Sequence, residues 1–414
     1  MERYSSYKPT SMQWLKEIPS HWKEMRHKYC LPMVKDKSTL PFKVGLENIE
    51  SYSGLYIPTE SLYEGDGINA KEGDIVYGKL RPYLAKVWIA DRPCNAVGDF
   101  FVYRCNKDCI LNQYAKWLML SDGFTKICSA STYGAKMPRV SSDFIASLSI
   151  PLPPLVEQEK IVSYLEDKTS KIDAYVADKE KEIELLQELK QKTIADAVTK
   201  GLNPDAKMKD SGISWIGEIP EHWEVRHLSQ VSYEHYISNK EVHHQNLLSL
   251  SYGRIIRKDI NTTEGLLPAS FDTYQIVEEG NIVMRLTDLQ NDHKSLRVGL
   301  VKEEGIVTSA YVCLGVYDSI FPSYLYNVLH CYDIRKLFYS MGGGLRQNLN
   351  WQGLKKLDIP LPPKDEQQSI VAYIEEKCEK IDKLASELQS EIEYLKEYKQ
   401  RLIADCVTGQ VKVS

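Results

Sequence analysis

The stretch Ile150-Pro-Leu-Pro-Pro154-Leu-Val-Glu157-Gln158 returns 209 residues later as Ile359-Pro-Leu-Pro-Pro363-Lys-Asp-Glu366-Gln367. Without a gap at that offset, 22 of the 46 residues from 155 to 200 match their counterparts. Working outward, Trp14…Ile18-Pro19…His21-Trp22 recurs as Trp215…Ile219-Pro220…His222-Trp223, and Glu72-Gly-Asp-Ile-Val76 pairs with Glu279-Gly-Asn-Ile-Val283. Between these markers the halves hardly resemble each other. The chain therefore reads as an internal repeat of a variable domain and a shared segment, divided 1–154, 155–200, 201–363 and 364–414.

The shared segments predict long helices. Residues 155–200 and 364–408 hold no Gly and no Pro. Each follows a Pro-Pro pair, carries acids in its first turn where they favour the helix dipole, and ends near Gly201 or Gly409. About 45 residues at a rise of about 1.5 Å make each on the order of 65–70 Å long. Ile161, Ile172, Ile183 and Ile194 recur every 11 residues, as do Ile370, Ile381, Ile392 and Ile403. That period keeps an apolar seam nearly straight, and Leu165, Val176, Val198, Ile374, Ala385 and Val407 widen it. Neither helix can hide this stripe alone, so the two are expected to pair as an antiparallel coiled coil within a pseudo-twofold body. Separate binding of each helix to other proteins is the alternative.

The variable domains read as mixed α/β. Strand-like runs (Asp74–Tyr77, Lys86–Ile89, Asp99–Tyr103, Asn281–Met284) alternate with Gly and Pro, and helical stretches lie at Leu111–Leu120 and Pro322–Leu329. The fold class is thus α/β (α+β), two globular domains separated by two long helices.

The chain has 414 residues, 43% apolar and 26% charged, as in a folded globular protein of two to three domains. No run of about 18 uncharged apolar residues is present, so no membrane partner is expected. The start Met-Glu-Arg-Tyr-Ser-Ser-Tyr-Lys-Pro lacks a signal-peptide core, and a cytoplasmic location is the expectation. Nine scattered cysteines, with Cys105 and Cys109 the only close pair, read as free thiols. His243-His244 is isolated, and no metal site is expected. The net charge of −5 sits in the two helical segments, each with 8 basic and 11 acidic residues; elsewhere 36 basic residues meet 35 acidic ones. Local basic faces are therefore possible without a general polycation.

Catalytic signatures are missing. There is no [DNS]-P-P-[YF] loop of a DNA methyltransferase, no P-loop, and no legible nuclease or nucleophile arrangement. Gly342-Gly-Gly344 does not open a βαβ unit and reads as a surface turn.

Two divergent domains alternating with two related helices, each entered through Ile-Pro-Leu-Pro-Pro…Glu-Gln, resemble the specificity subunit of type I restriction–modification systems over nearly the whole chain. The Ile-Pro…His-Trp entry to each domain agrees with this. The resemblance implies a non-catalytic DNA-reading chain with a target-recognition domain in each half. It implies double-stranded DNA as ligand, two modification (methyltransferase) subunits acting at adenine N6, and restriction (translocase/endonuclease) subunits that join them. S-adenosylmethionine, ATP and Mg would belong to those partners, with no cofactor on this chain. Two divergent readers on a fixed spacer would take an asymmetric, split target, the helix pair setting the gap.

Candidate DNA contacts in the first domain are Lys79, Arg81, Tyr83 and Lys86, which follow a strand and set cations beside an aromatic, and Tyr133, Lys136 and Arg139. In the second they are Arg285, Thr287, Asp288, Gln290, Asn291 and Lys294, and Arg346, Gln347 and Asn348 at the offset matching the first domain's Tyr133–Arg139 stretch. Arg can pair bidentately with guanine, and Asn or Gln with adenine. Trp14, Trp22, Trp215 and Trp223 are expected in the core. Helix charges such as Glu166, Lys171, Asp173, Glu182 and Glu188 are expected on solvated faces, some available for docking. The competing assignments are the recognition subunit of a type IIB-like methylase–nuclease complex, a stand-alone DNA-modifying enzyme, and a helical scaffold that never meets DNA.

Overall fold

Each Ile-Pro-Leu segment lies in a strand, and each Pro-Pro pair turns it into a long helix, in the computed structural model, which describes residues 2–61, 63–241, 244–260, 270–291, 296–341 and 348–413. The elements that position the site begin with β1 (Lys23–Arg26), β2 (Ile75–Gly78), β3 (Val87–Ile89), β4 (Phe100–Tyr103), α1 (Asn112–Leu120), α2 (Asp122–Ala130), β5 (Ser149–Leu152) and α3 (Leu155–Lys200). They continue with β6 (Glu224–His227), β7 (Ile282–Met284), β8 (Val298–Leu300), β9 (Val312–Val316), α4 (Pro322–Ile334), β10 (Asp358–Leu361) and α5 (Lys364–Val407). Two compact units result, Met1–Glu180 with Gln389–Ser414, and Lys181–Leu388. The division cuts both long helices instead of falling at their ends, because each helix end is packed into a domain core.

In the first unit β2 lies inside a four-stranded antiparallel sheet, in the order Met33–Val34, β4, β2, β3. A second four-stranded sheet joins Lys37–Ser38, Gly67–Ala70, Cys94–Ala96 and Lys43–Val44. The second unit repeats the first sheet as Ser232–Glu234, β9, β7, β8. All four residues of β2 and all three of β7 are buried, which is why both read as unbroken apolar runs. The motif strands β5 and β10 pair with β1 and β6 in matching register, Ser149 opposite Arg26 and Asp358 opposite His227. Both are two-stranded edges, where a proline's missing N–H is tolerated.

The physical role of the repeated motif is a set of local locks. Gln158 is fully buried: its amide oxygen accepts from the Leu111 N–H (2.9 Å), and its nitrogen donates to the Cys109 and Pro153 carbonyls (2.8 and 2.9 Å). Gln367 makes the same contacts with Phe321, Ser319 and Pro362. The neighbouring Glu157 accepts from His21 at 2.8 Å and from Tyr4, and Glu366 accepts from His222 at 2.8 Å. The Tyr114 hydroxyl lies 3.2 Å from the Pro151 carbonyl and 2.9 Å from that of Val407, and Tyr324 sits likewise between Pro360 and Val198. Trp22 and Trp223 are fully buried, as expected of core anchors, and Trp14 and Trp215 pack against the same cores half-exposed. The helices stop at Gly409 and Gly201, both at φ near +72°. A Cβ on Gly409 would stand 2.4 Å from Pro19 and 3.1 Å from Trp22, so the Ile-Pro…His-Trp entry is the surface on which a helix end is seated.

Within each unit the helices run antiparallel. In the first, Ile161 and Leu165 share a core with Leu402, Ile403, Cys406 and Val407. In the second, Ile194 and Val198 share one with Ile370 and Ile374. Ile161, Ile194, Ile370, Ile392 and Ile403 are buried, and Ile172, Ile183 and Ile381 half-buried. Ion pairs flank the seam: Lys399–Asp173 and Lys190–Asp382, each 2.6 Å, are the same pair in the two copies. Asp173 is therefore engaged within the helix pair.

Candidate nucleic-acid interface

In the first unit the turn from β2 to β3 spans residues 79–86. Gly78 N–H donates to the Lys86 carbonyl (2.8 Å), closing it at its base. A short 3-10 turn at Pro82–Leu84 lies between Arg81 and Ala85, both left-handed at φ 50° and 44°. That conformation costs a residue with a Cβ on the order of 1 kcal/mol or more, and here it turns Arg81 and Tyr83 into solvent. Residues 133–139 fold into a small hairpin that docks on this turn. Tyr133 and Arg139 exchange two backbone hydrogen bonds (3.1 and 3.0 Å). Arg81 N–H donates to the Pro138 carbonyl (2.7 Å), and Val140 N–H to that of Lys79 (3.1 Å). Arg81, Tyr83, Tyr133 and Lys136 are exposed together on the two joined segments, Tyr133 at 61%.

The other three first-domain candidates are engaged by the protein. Arg139 grips Asp99 with two bonds of 2.9 Å, and Lys79 stands 3.6 Å from the same carboxylate. The Arg139 hydrogen bonds and the Lys79 charge hold the Asp99 carboxyl below its usual range, against the opposing effect of burial. The Lys86 ammonium donates to the Leu46 and Ile49 carbonyls (2.7 and 2.8 Å), and burial pushes its pKa down. Lys86 thus ties main chain together where a free cation was expected.

The second unit builds the same junction from different residues. Leu349 N–H donates to the Leu286 carbonyl (2.9 Å), and Asp288 N–H to the Asn348 side-chain oxygen (2.8 Å). Asp288 is left-handed at φ 57°, and its carboxylate accepts from the Asn291 amide at 2.7 Å. Gln290, Asn291 and Asn348 are exposed, while Arg285, Thr287 and Asp288 are half-buried. Lys294, Arg346 and Gln347 lie outside the described residues, as does His243.

Nine free cysteines carry no disulfide. Among the described residues, no group of His, Cys, Asp or Glu side chains is placed to hold a metal, and no helix is long and apolar enough to cross a membrane.

The model of the type I restriction modification DNA specificity domain matches residues 48–185 and 297–394, together more than half of the chain. The chain belongs to this family. It is a specificity subunit, a non-catalytic, DNA-recognising component of a type I restriction–modification system. The MjaVIII specificity subunit of Methanocaldococcus jannaschii is 24% identical over 437 aligned positions, covering 96% of this chain and 94% of that protein. The EcoDI specificity subunit of Escherichia coli is 31% identical over 163 residues, 37% of this chain and 36% of its own length. The fold is shared with the HsdS subunit of Thermoanaerobacter tengcongensis (TM-score 0.53, 18% identity, covering 95% of this chain and 98% of that one). It is also shared with a chain from a structure addressing complex assembly and conformational transition of the type I R-M system (TM-score 0.72, 19% identity, 95% and 99%).

Two features of this specificity subunit escaped sequence reading. The first is a hairpin tip present in both domains, Ser51-Tyr52-Ser53-Gly54 and Ser251-Tyr252-Gly253, with each tyrosine left-handed (φ 63° and 45°). Tyr52 props the first junction: its hydroxyl donates to the Tyr83 carbonyl, and its N–H donates to that of Ala85 at 3.2 Å. Tyr252 is 80% exposed, and its turn abuts Leu296 at the end of the second junction. A repeated Ser-Tyr followed closely by Gly was the available signal. The second feature is Arg297, a fully buried arginine that no sequence pattern marked.

Proposed function

We propose that the chain reads an asymmetric two-part duplex target, one part with each domain. The first reader is the exposed set Arg81, Tyr83, Tyr133 and Lys136, with Lys79, Lys86 and Arg139 positioning it. The second is Arg285, Thr287, Asp288, Gln290 and Asn291 with Asn348, together with Lys294, Arg346 and Gln347. One observation supports this above the others. Two domains of divergent sequence present the same joined pair of segments, with the Arg81–Pro138 and Val140–Lys79 bonds of one answered by Leu349–Leu286 and Asp288–Asn348 in the other. Different side chains on one scaffold suit different half-sites, and each good bidentate contact contributes about 1–3 kcal/mol of discrimination.

The helix pair sets the unread gap, and two modification subunits dock on it. In support, exposed apolar residues recur at equivalent helix positions, Tyr175, Tyr394 and Tyr398 in the first unit and Leu384, Leu185 and Leu189 in the second. Single exposed apolar residues are ordinary on a protein surface, but a duplicated set suits two copies of one partner. S-adenosylmethionine, ATP and Mg belong to the partner subunits in this reading, and the complex works in the cytoplasm. The test is a genome-wide map of N6-methyladenine in the source cell with and without this gene. Loss of one split motif is the expected result; an unchanged map beside active modification genes would refute the reading.

A further inference from the structure

Arg297 is the last residue of the segment joining β7 to β8, and its side chain turns inward to zero exposure. A buried guanidinium has lost its water and needs its N–H groups satisfied. Arg297 finds that satisfaction in the reading segment itself. Its Nη1 donates to the Arg285 and Thr287 carbonyls (3.1 and 2.9 Å), and its Nη2 to that of Asp288 (3.4 Å). Its Nε donates to the Tyr339 hydroxyl (3.0 Å), whose ring lies beneath the guanidinium at 5.3 Å. Its backbone N–H donates to the buried Asp333 carboxylate. One planar fork therefore fixes three carbonyls of four consecutive residues, among them the left-handed Asp288.

Losing this arginine alone strands buried carbonyls and lowers stability. The fork also fixes geometry, because every carbonyl it holds belongs to the main chain of residues 285–288. The first domain carries a related device: Lys86, the residue immediately before β3, donates to two main-chain carbonyls of the segment leading to the Tyr52 tip.

We infer that Arg297 is a positioning residue for sequence choice, holding the backbone of 285–288 in the one conformation from which the second domain accepts its half-site. The inference rests on the reading of the two domains given above. Arg297 touches no base. It sets where Arg285, Thr287 and Asp288 stand, so its loss relaxes discrimination in one half of the target and leaves the other half intact.

The test uses the complete chain assembled with its modification subunits, assayed for methylation of duplexes in which each position of the target is varied. R297K keeps a cation in the pocket, but one ammonium cannot serve three carbonyls and a hydroxyl in the geometry of the fork. It is expected to lose about tenfold or more of base discrimination at positions in a single half-site, with preference in the other half unchanged even as the stranded carbonyls lower the thermal midpoint. R297M is expected to relax the same positions further; if it fails to fold, R297K decides alone. A parallel fall in methylation of all duplexes with base preference preserved would overturn the inference, because that is what a merely structural arginine gives. Relaxation in both halves would overturn it too. A wild-type complex that shows no split preference would instead remove the two-reader account beneath it.

Discussion

His27 is a buried histidine with nothing to bond. It is 1% exposed and walled by the Tyr103 and Phe124 rings at 4.8 and 6.4 Å, and neither ring nitrogen has a partner among the described residues. Burial pushes its pKa down to about 3. In the unfolded chain the same group titrates near about 6.5. Below that pH the unfolded state takes up a proton that the native state refuses, so native stability falls as pH falls. At about 1.4 kcal/mol per unit, the loss from neutrality to pH 5 is about 2 kcal/mol, continuing toward about 5 as pH nears 3. The second domain shows the alternative. Leu228 occupies the matching place, and its N–H donates to the Leu357 carbonyl at 2.7 Å as that of His27 does to Leu148. The His27→Leu variant is therefore expected to gain about 1–3 kcal/mol at pH 7.5 by removing two orphaned ring nitrogens. Its advantage should widen by about a further 2 kcal/mol at pH 5. Urea unfolding followed by tryptophan fluorescence at both pH values measures this. Equal acid losses in the wild type and the variant would refute the reasoning, since carboxylate protonation is common to both.

Further expectations follow from the locks and the helix pair. Gln158→Leu strands one N–H and two carbonyls and should cost about 3 kcal/mol, with Gln367→Leu costing the same in the other unit, read from denaturant midpoints. Ile194→Ala should cost about 2–5 kcal/mol in the same measurement, whereas Lys190→Ala, which breaks an exposed ion pair, should cost under about 1 kcal/mol. Lys136→Ala should weaken DNA binding by the assembled complex and lower the slope of log affinity against log salt by about one.

The long helices were legible because four isoleucines at an 11-residue period, within more than 40 residues free of Gly and Pro, fit a helix and little else, and the observed bounds Leu155–Lys200 and Lys364–Val407 lie close to those read from Pro-Pro and Gly. Runs such as Ile75–Gly78 and Phe100–Tyr103 were legible because both are largely buried. Strands of two or three residues, such as Met33–Val34 and Lys43–Val44, were not, since they exist only through distant partners and carry no period of their own. In the candidate site, the segments that form each junction were marked in the sequence, but exposed cations could not be told from engaged ones. Lys86 and Arg81 differ only in what the fold places beside them, two carbonyls for one and solvent for the other. Arg297 looked like any surface arginine, because the carbonyls that hold it belong to residues nine to twelve positions earlier in the chain.

Two independent readers sharing one spacer are tested most directly by replacing residues 1–154 with the matching domain of another specificity subunit and mapping N6-methyladenine in cells that supply the modification subunits. The account predicts a new motif in which one half has changed while the other half and the gap are kept. A motif altered in both halves at once would contradict it.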